Sequence, residues 1–251
     1  MKKLLTLKLA FLLSLTFAFA QTKMAASSAS KMTVDSVFQN YYEATGGQAL
    51  WDSIDTYAMK RSYRSNSSAD YDAEIYVSMA DQAMSKSKII LKRNFIYAVK
   101  GSEGWLKIPL GSYDKVTKYQ VKDLSQSEQE SMRFEMYDLL VPFVNYKNRG
   151  LVATLVGAEK MDGVDVYQVE LQGKGVKYNL YFDAKTGLLL REKKAHAGEV
   201  TTIDYSNYKK SNFGIMYPAT LVQTSSKDKT KVSITSELAV NQTIDPEYFK
   251  R

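Results

Sequence analysis

The sequence has 251 residues, 45% hydrophobic, 24% charged and 12% aromatic, which excludes a disordered or fibrous chain and fits one sizeable globular domain. Cysteine is absent, so disulfides, thiolate metal sites and a cysteine nucleophile are excluded. Part of the formal charge of +7 lies in Lys2, Lys3 and Lys8, in a segment expected to be removed. The modest remainder does not demand nucleic acid, and no RNA-binding signature occurs.

Residues 1–20 read as a secretory signal peptide. Lys2, Lys3 and Lys8 give the positive start, residues 9–19 the apolar core, and Ala18-Phe19-Ala20 the small-x-small cleavage site. The apolar run is shorter than the ~20 residues a bilayer needs. A lipoprotein needs a cysteine at the cleavage point, so the expectation is a periplasmic protein beginning at Gln21 and not lipidated. Residues 21–32 are small and polar and read as a flexible leader to a single domain over 33–251.

Thr33 caps an expected helix over 34–45, with Val34, Val37, Phe38, Tyr41 and Tyr42 as its apolar stripe and Gly46-Gly47 as its end. Strand patterns follow at 57–64, 73–79, 85–92 and 95–100. Pro109, Pro142, Pro218 and Pro246 are expected between or beyond the elements, where a missing N–H does little harm. Residues 123–146 read as one helix. Ser125/Glu128 and Ser127/Glu130 both have capping-box spacing, and Met132, Met136, Leu139, Leu140 and Phe143 run down one side until Pro142 stops or kinks it.

Strands resume at 151–157 and turn at Asp162-Gly163. The stretch 164–194 then alternates with a period of two. Tyr167, Val169 and Leu171 share one face; Val176, Tyr178, Leu180 and Phe182 share it again after a glycine turn. Asp183 and Gly187 suit the next turn, by backbone hydrogen bonding and by tolerance of positive φ. Strands at 200–208, 219–226 and 232–240 complete a large antiparallel sheet. A sheet of this size curls strongly.

Chemistry is sparse. His196, the single histidine, reads as an exposed turn residue. Asp70, Asp72 and Glu74 alternate on one strand face but lack the glycine and spacing of a calcium loop. Ser-x-x-Lys recurs as chance produces it, and no nucleophile elbow, phosphate loop or dinucleotide fingerprint occurs. No metal, cofactor or catalytic set is therefore assigned. The basic run Lys86, Lys88, Lys92, Arg93, Lys100, Lys107, Lys115, Lys118 and Lys122 reads as a solvated face or edge protection. Its functional alternative is peripheral attraction to anionic headgroups.

The order of these features resembles the outer-membrane lipoprotein-sorting protein family, the LolA-like periplasmic carriers. The resemblance rests on the helix closing on Gly-Gly, on Gly101-Ser-Glu-Gly-Trp105-Leu-Lys-Ile-Pro109 before the inserted helix, and on Tyr181-Phe-Asp-Ala-Lys-Thr-Gly187 and Gly214-Ile-Met-Tyr-Pro218 after it. It implies a mainly β fold, an incomplete half-barrel covered by a few helices, with an apolar cavity for acyl chains and no catalysis. It also implies an early-strand arginine that latches the covering helices; Arg61 and Arg64 lie in that region, and no motif chooses between them.

The residues independently point to an apolar sheet face under a methionine-rich helix. The candidate acyl cavity is Trp105, Met132, Met136, Tyr137, Leu140, Phe143, Tyr178, Leu180 and Phe182. Expected partners are lipid or lipoprotein acyl chains. The alternative is an envelope module that binds a protein partner, its cavity filled by its own side chains.

Overall fold

In the computed structural model, which describes residues 32–111 and 118–251, two runs of strands are joined by one crossover. Helices α1 (Val34–Ala44) and α2 (Gln48–Asp52) come first. Six strands follow: β1 (Thr56–Ser65), β2 (Tyr71–Ser78), β3 (Ala83–Ile90), β4 (Arg93–Lys100), β5 (Glu103–Pro109) and β6 (Tyr119–Asp123). Helix α3 (Gln126–Asp138) leads into β7 (Val152–Met161), β8 (Val164–Gly173), β9 (Val176–Asp183) and β10 (Leu189–His196). The last strands are β11 (Glu199–Lys210), β12 (Met216–Ser225) and β13 (Lys231–Val240), before a 3₁₀ turn at Pro246–Phe249. The expected signal segment, the leader up to residue 31 and Lys115 lie outside the described residues. No described helix is long and apolar enough to cross a membrane.

Among the described residues thirteen strands form one open antiparallel sheet, in the order β6-β5-β4-β3-β2-β1-β13-β12-β11-β10-β9-β8-β7. The chain thus walks from β1 out to one edge and crosses to the other edge at β7. It then walks back until β13 pairs with β1, Arg61 opposite Ser236. The crossover is α3 with the turns of residues 139–150. Sheet topology therefore obliges this segment to cover a face. The half-barrel expected from the sequence is present.

Local chemistry fixes these elements. Thr33 and Ser36 form a reciprocal capping box on α1, and Ser125 and Glu128 form one on α3. Asp162-Gly163, Lys174-Gly175 and Ala197-Gly198 each hold two successive residues at positive φ, the hairpin turn whose twist matches its strands. Asp183 accepts from the backbone N–H groups of Lys185 and Thr186. Gly187, at φ 74°, lies so close to α1 that a Cβ would stand 2.7 Å from the Asn40 carbonyl.

Several expectations are corrected. Helix α3 begins at Gln126 and ends at Asp138 instead of spanning 123–146. Pro142 accounts for the end, because its ring opposes the carbonyl four residues earlier, that of Asp138. Leu140 and Phe143 are consequently buried turn residues. Pro109 and Pro218 lie inside strands. At Pro218 only β11 pairs with β12, since the β13 ladder starts at Thr220, so no ladder bond is lost on that side. His196 is the exposed last residue of β10, beside the turn. Strands β5 and β6 and helix α2 were not anticipated.

The core lies between the concave face and the α1–α2–crossover layer. Phe143 stacks on Phe38 at 4.5 Å and meets Phe182 and Tyr41 edge-on at 5.4 and 5.1 Å.

Candidate functional site

Cross-strand partners share a face, and successive residues alternate between faces. A Cβ on Gly104 would meet Gln129 of α3 at 2.5 Å, so Gly104 faces the cover. Its neighbour Trp105 therefore faces the convex side, away from α3, in one row with Ala98, Ser85 and Tyr76. The other candidate residues belong to the concave side. Met132 and Met136 are the fully buried residues of α3, with Tyr137 partly buried beside them. Leu140 and Phe143 follow in the crossover; Tyr178, Leu180 and Phe182 form the wall from β9. Phe143 and Phe182 are parts of the packed aromatic core.

Few apolar anchors hold α3, and polar tethers hold it as well. The Tyr57 hydroxyl donates to the Met136 carbonyl at 2.6 Å, and Arg61 Nη2 donates to the Leu139 carbonyl at 3.3 Å. The first carbonyl lies in the last turn of α3 and the second just past its end, where no intrahelical donor reaches them. Lys86 Nζ donates to both oxygens of Glu135 at 2.6 Å. Asp138 accepts from Arg149 at 2.6 Å, from Lys194 at 2.8 Å and from the Tyr178 hydroxyl at 2.8 Å. Arg64, by contrast, faces Asp70 and Asp72 at the exposed end of β1. Between the two arginines, the structure puts Arg61 against the crossover.

Under α3 lies a cavity of about 440 Å³, within the range of small-molecule sites. Tyr63, Tyr71, Ile203, Leu221 and Ile234 give its apolar wall; Arg61, Lys86, Lys88, Glu135, Asp138, Glu192 and Lys194 give its charges, with His196 and Glu199 toward β10 and β11. Lys86 and Lys88, expected on a solvated face, point inward. Sequence pattern hid this, because Ser85, Ser87 and Lys86 alternate no apolar residue that would mark either face. A second groove of about 650 Å³ runs between α1, α2 and the crossover, past Tyr137, Leu140 and Phe143.

Burial and neighbours tune these groups. Glu192 is 2% exposed; burial, then the nearby Asp138 carboxylate, pushes its pKa up to about 7, while the donated Tyr205 hydroxyl holds it down. Burial also pushes the Tyr178 hydroxyl well above its usual value, with Asp138 adding to the shift. At Glu135 burial opposes ionisation, but Lys86, then Lys88 and Arg61, outweigh it and keep the carboxyl low. Among the described residues no group of carboxylates and histidine is placed to hold a metal ion.

Compared by sequence, the chain matches no family model and no curated protein. Among solved structures that share its fold, a DUF1329 family protein from Desulfovibrio piger superposes with a TM-score of 0.57 at 14% identity, over 87% of this chain and 98% of that one. A putative outer membrane lipoprotein-sorting protein domain from Vibrio parahaemolyticus gives 0.55 at 16% identity, over 86% and 95%. The chain thus shares with these two proteins the open, helix-covered antiparallel sheet that the resemblance implied. At these identities the likeness is one of fold.

Proposed function

We propose that the protein is a periplasmic carrier that holds acyl chains of lipid or lipoprotein between the curled sheet and α3, and that it is not an enzyme. The observation that carries this reading is a cover with two fully buried apolar side chains, tied down by polar tethers over a cavity. Polar tethers can exchange for water when the cover lifts, so opening costs less than unpacking an apolar helix of the same length. Met132, Met136, Tyr137 and Leu140 then form the movable side, and Tyr178 and Leu180 the fixed wall.

The magnitudes suit tail-driven binding. An acyl chain of about 16 carbons at ~0.8 kcal/mol per methylene supplies roughly 12 kcal/mol gross. Headgroup contacts at ~1 kcal/mol each tune orientation. Export through the 1–20 segment belongs to the same reading. A protein-binding envelope module is favoured instead by one observation, the dense Phe38–Phe143–Phe182 packing that fills part of the space with the chain's own rings.

Titration with a long-chain fatty acid or lipopeptide separates the two, read by thermal midpoint and by Trp51 fluorescence. A ligand at 100 times its Kd adds about 2.7 kcal/mol, so a carrier shows a saturable rise in midpoint. No saturable change in either signal sinks the acyl-carrier reading.

A further inference from the structure

We propose that the cavity under α3 selects amphiphiles with one anionic head, a carboxylate or phosphate, seated between Arg61 and Lys88 with the tail along Tyr63, Ile203, Leu221 and Ile234. This rests on the carrier reading and adds the head chemistry.

The charges of the cavity are unequally matched. Lys86 is taken by Glu135, and Lys194 and Arg149 share Asp138. Glu192 accepts from the Tyr205 hydroxyl, and Glu199 accepts from the Ser225 hydroxyl. Arg61 bonds only neutral oxygens, the Ser236 hydroxyl and the Leu139 carbonyl. Lys88 lies over the faces of Tyr71 and Tyr97, at 5.5 and 5.3 Å. Neither Arg61 nor Lys88 has a carboxylate at ion-pair distance among the described residues, and the Glu135 carboxylate acts on both only at longer range.

Register brings these two cations to one slot. Arg61 pairs with Ala73, and Ala73 pairs with Lys88. The three stand in one row on the concave face, with the cations two strands, or about 10 Å, apart. Ala73 is 2% exposed, and its methyl is too short to fill the gap between two long side chains. An anion entering there meets both cations at once. Burial, followed by repulsion from Lys86, depresses the Lys88 amine below the usual lysine range, and the Glu135 carboxylate offsets this only in part. The apolar wall begins beside the slot, since Tyr63 lies two residues from Arg61 and pairs with both Tyr71 and Ile234.

The test measures binding of dodecanoate, dodecanol and dodecyltrimethylammonium below their aggregation limits, with acetate and inorganic phosphate as heads without tails. Dodecanoate is expected to bind tightest. Lys88→Met is expected to weaken it about tenfold, in line with a lost hydrogen bond to a charged group, and to leave dodecanol unchanged. Lys88→Arg should retain binding, and Lys92→Met, in the turn after β3, should behave as wild type. Thermal midpoints of the variants, Lys88→Arg included, check that each still folds. Equal binding of the three dodecyl compounds overturns head selection while the carrier reading stands. No binding of any of them overturns both. Phosphate or acetate binding as tightly as dodecanoate overturns the tail assignment and leaves a free-anion site.

Discussion

Arg149 and Asp138 meet at 2.6 Å where α3 ends, with 5% and 13% of their side chains exposed. Arg149 also donates to the Pro142 carbonyl at 2.6 Å and lies 4.9 Å from the Tyr137 ring. One guanidinium thus ties the helix end to the turns that follow it. Removing one partner costs ~3–5 kcal/mol where it leaves the other charge uncompensated, but Asp138 keeps Lys194 and the Tyr178 hydroxyl. Arg149→Met is therefore expected to lose about 1–3 kcal/mol in urea unfolding. A loss below ~1 kcal/mol would mean the pair is solvated and the crossover is held elsewhere.

Glu192 predicts a pH dependence of the opposite sense to ordinary acid denaturation. Its folded pKa, near 7, exceeds the unfolded value of 4.5. Between those values the folded state binds more protons than the unfolded one, so this group lowers stability as pH rises. The full effect is of the order of 3 kcal/mol. Glu135 has its pKa depressed and contributes stability that is lost as pH falls through its folded value, below the usual carboxylate range. Unfolding of wild type and Glu192→Gln from pH 4.5 to 7.5 isolates the first term. The variant's curve should lie progressively above wild type as pH rises. Parallel curves would place Glu192 in contact with water.

Tyr57→Phe removes the donor to the Met136 carbonyl while keeping the ring in place. Leaving that carbonyl unpaired in the core is expected to cost about 1–3 kcal/mol. Hydrogen exchange should localise the effect to α3. Uniform exchange over the sheet and α3 would indicate a general core defect instead of a tether.

Much of this fold was legible because it is written in period-two alternation and in turn residues. Val169, Leu171, Tyr178, Leu180 and Phe182 fall on the concave wall where their spacing put them. What was not legible has physical reasons. Strand β6 has a single apolar aliphatic residue, Val121, and is mostly exposed, so it carries no burial pattern. The length of α3 was overread because buried turn residues and buried helical residues share the same apolar character. Trp105 looked like lining because aromaticity does not reveal a face; only its register with Ala98 does. Above all, the charges of the cavity were hidden. Arg61, Lys88 and Glu192 carry no local signal of burial, because their partners lie on strands or helices far along the chain.

The mobility of the cover is tested by comparing two kinds of apolar deletion. Met136 is on α3 and Leu140 on the turns after it, whereas Leu180 is on β9 and belongs to the wall; all three are buried at 5% exposure or less. Without ligand, each change to alanine in a tight core costs ~2–5 kcal/mol, so the three should look alike. With an acyl ligand they should separate. If α3 lifts and the chain takes its place, the contacts of Met136 and Leu140 are exchanged for ligand contacts. Their deletion then no longer penalises the bound state in full, and vacated volume admits more of the tail. Leu180 lies on the sheet, the side that stays, so its deletion is expected to cost as much with ligand as without. The expected result is a midpoint rise on adding a long-chain fatty acid that is larger in Met136→Ala and Leu140→Ala than in wild type, and not larger in Leu180→Ala. Equal rises in all three variants would indicate a ligand bound without movement of α3. A full penalty in every variant, with no rise, would make α3 an ordinary core helix.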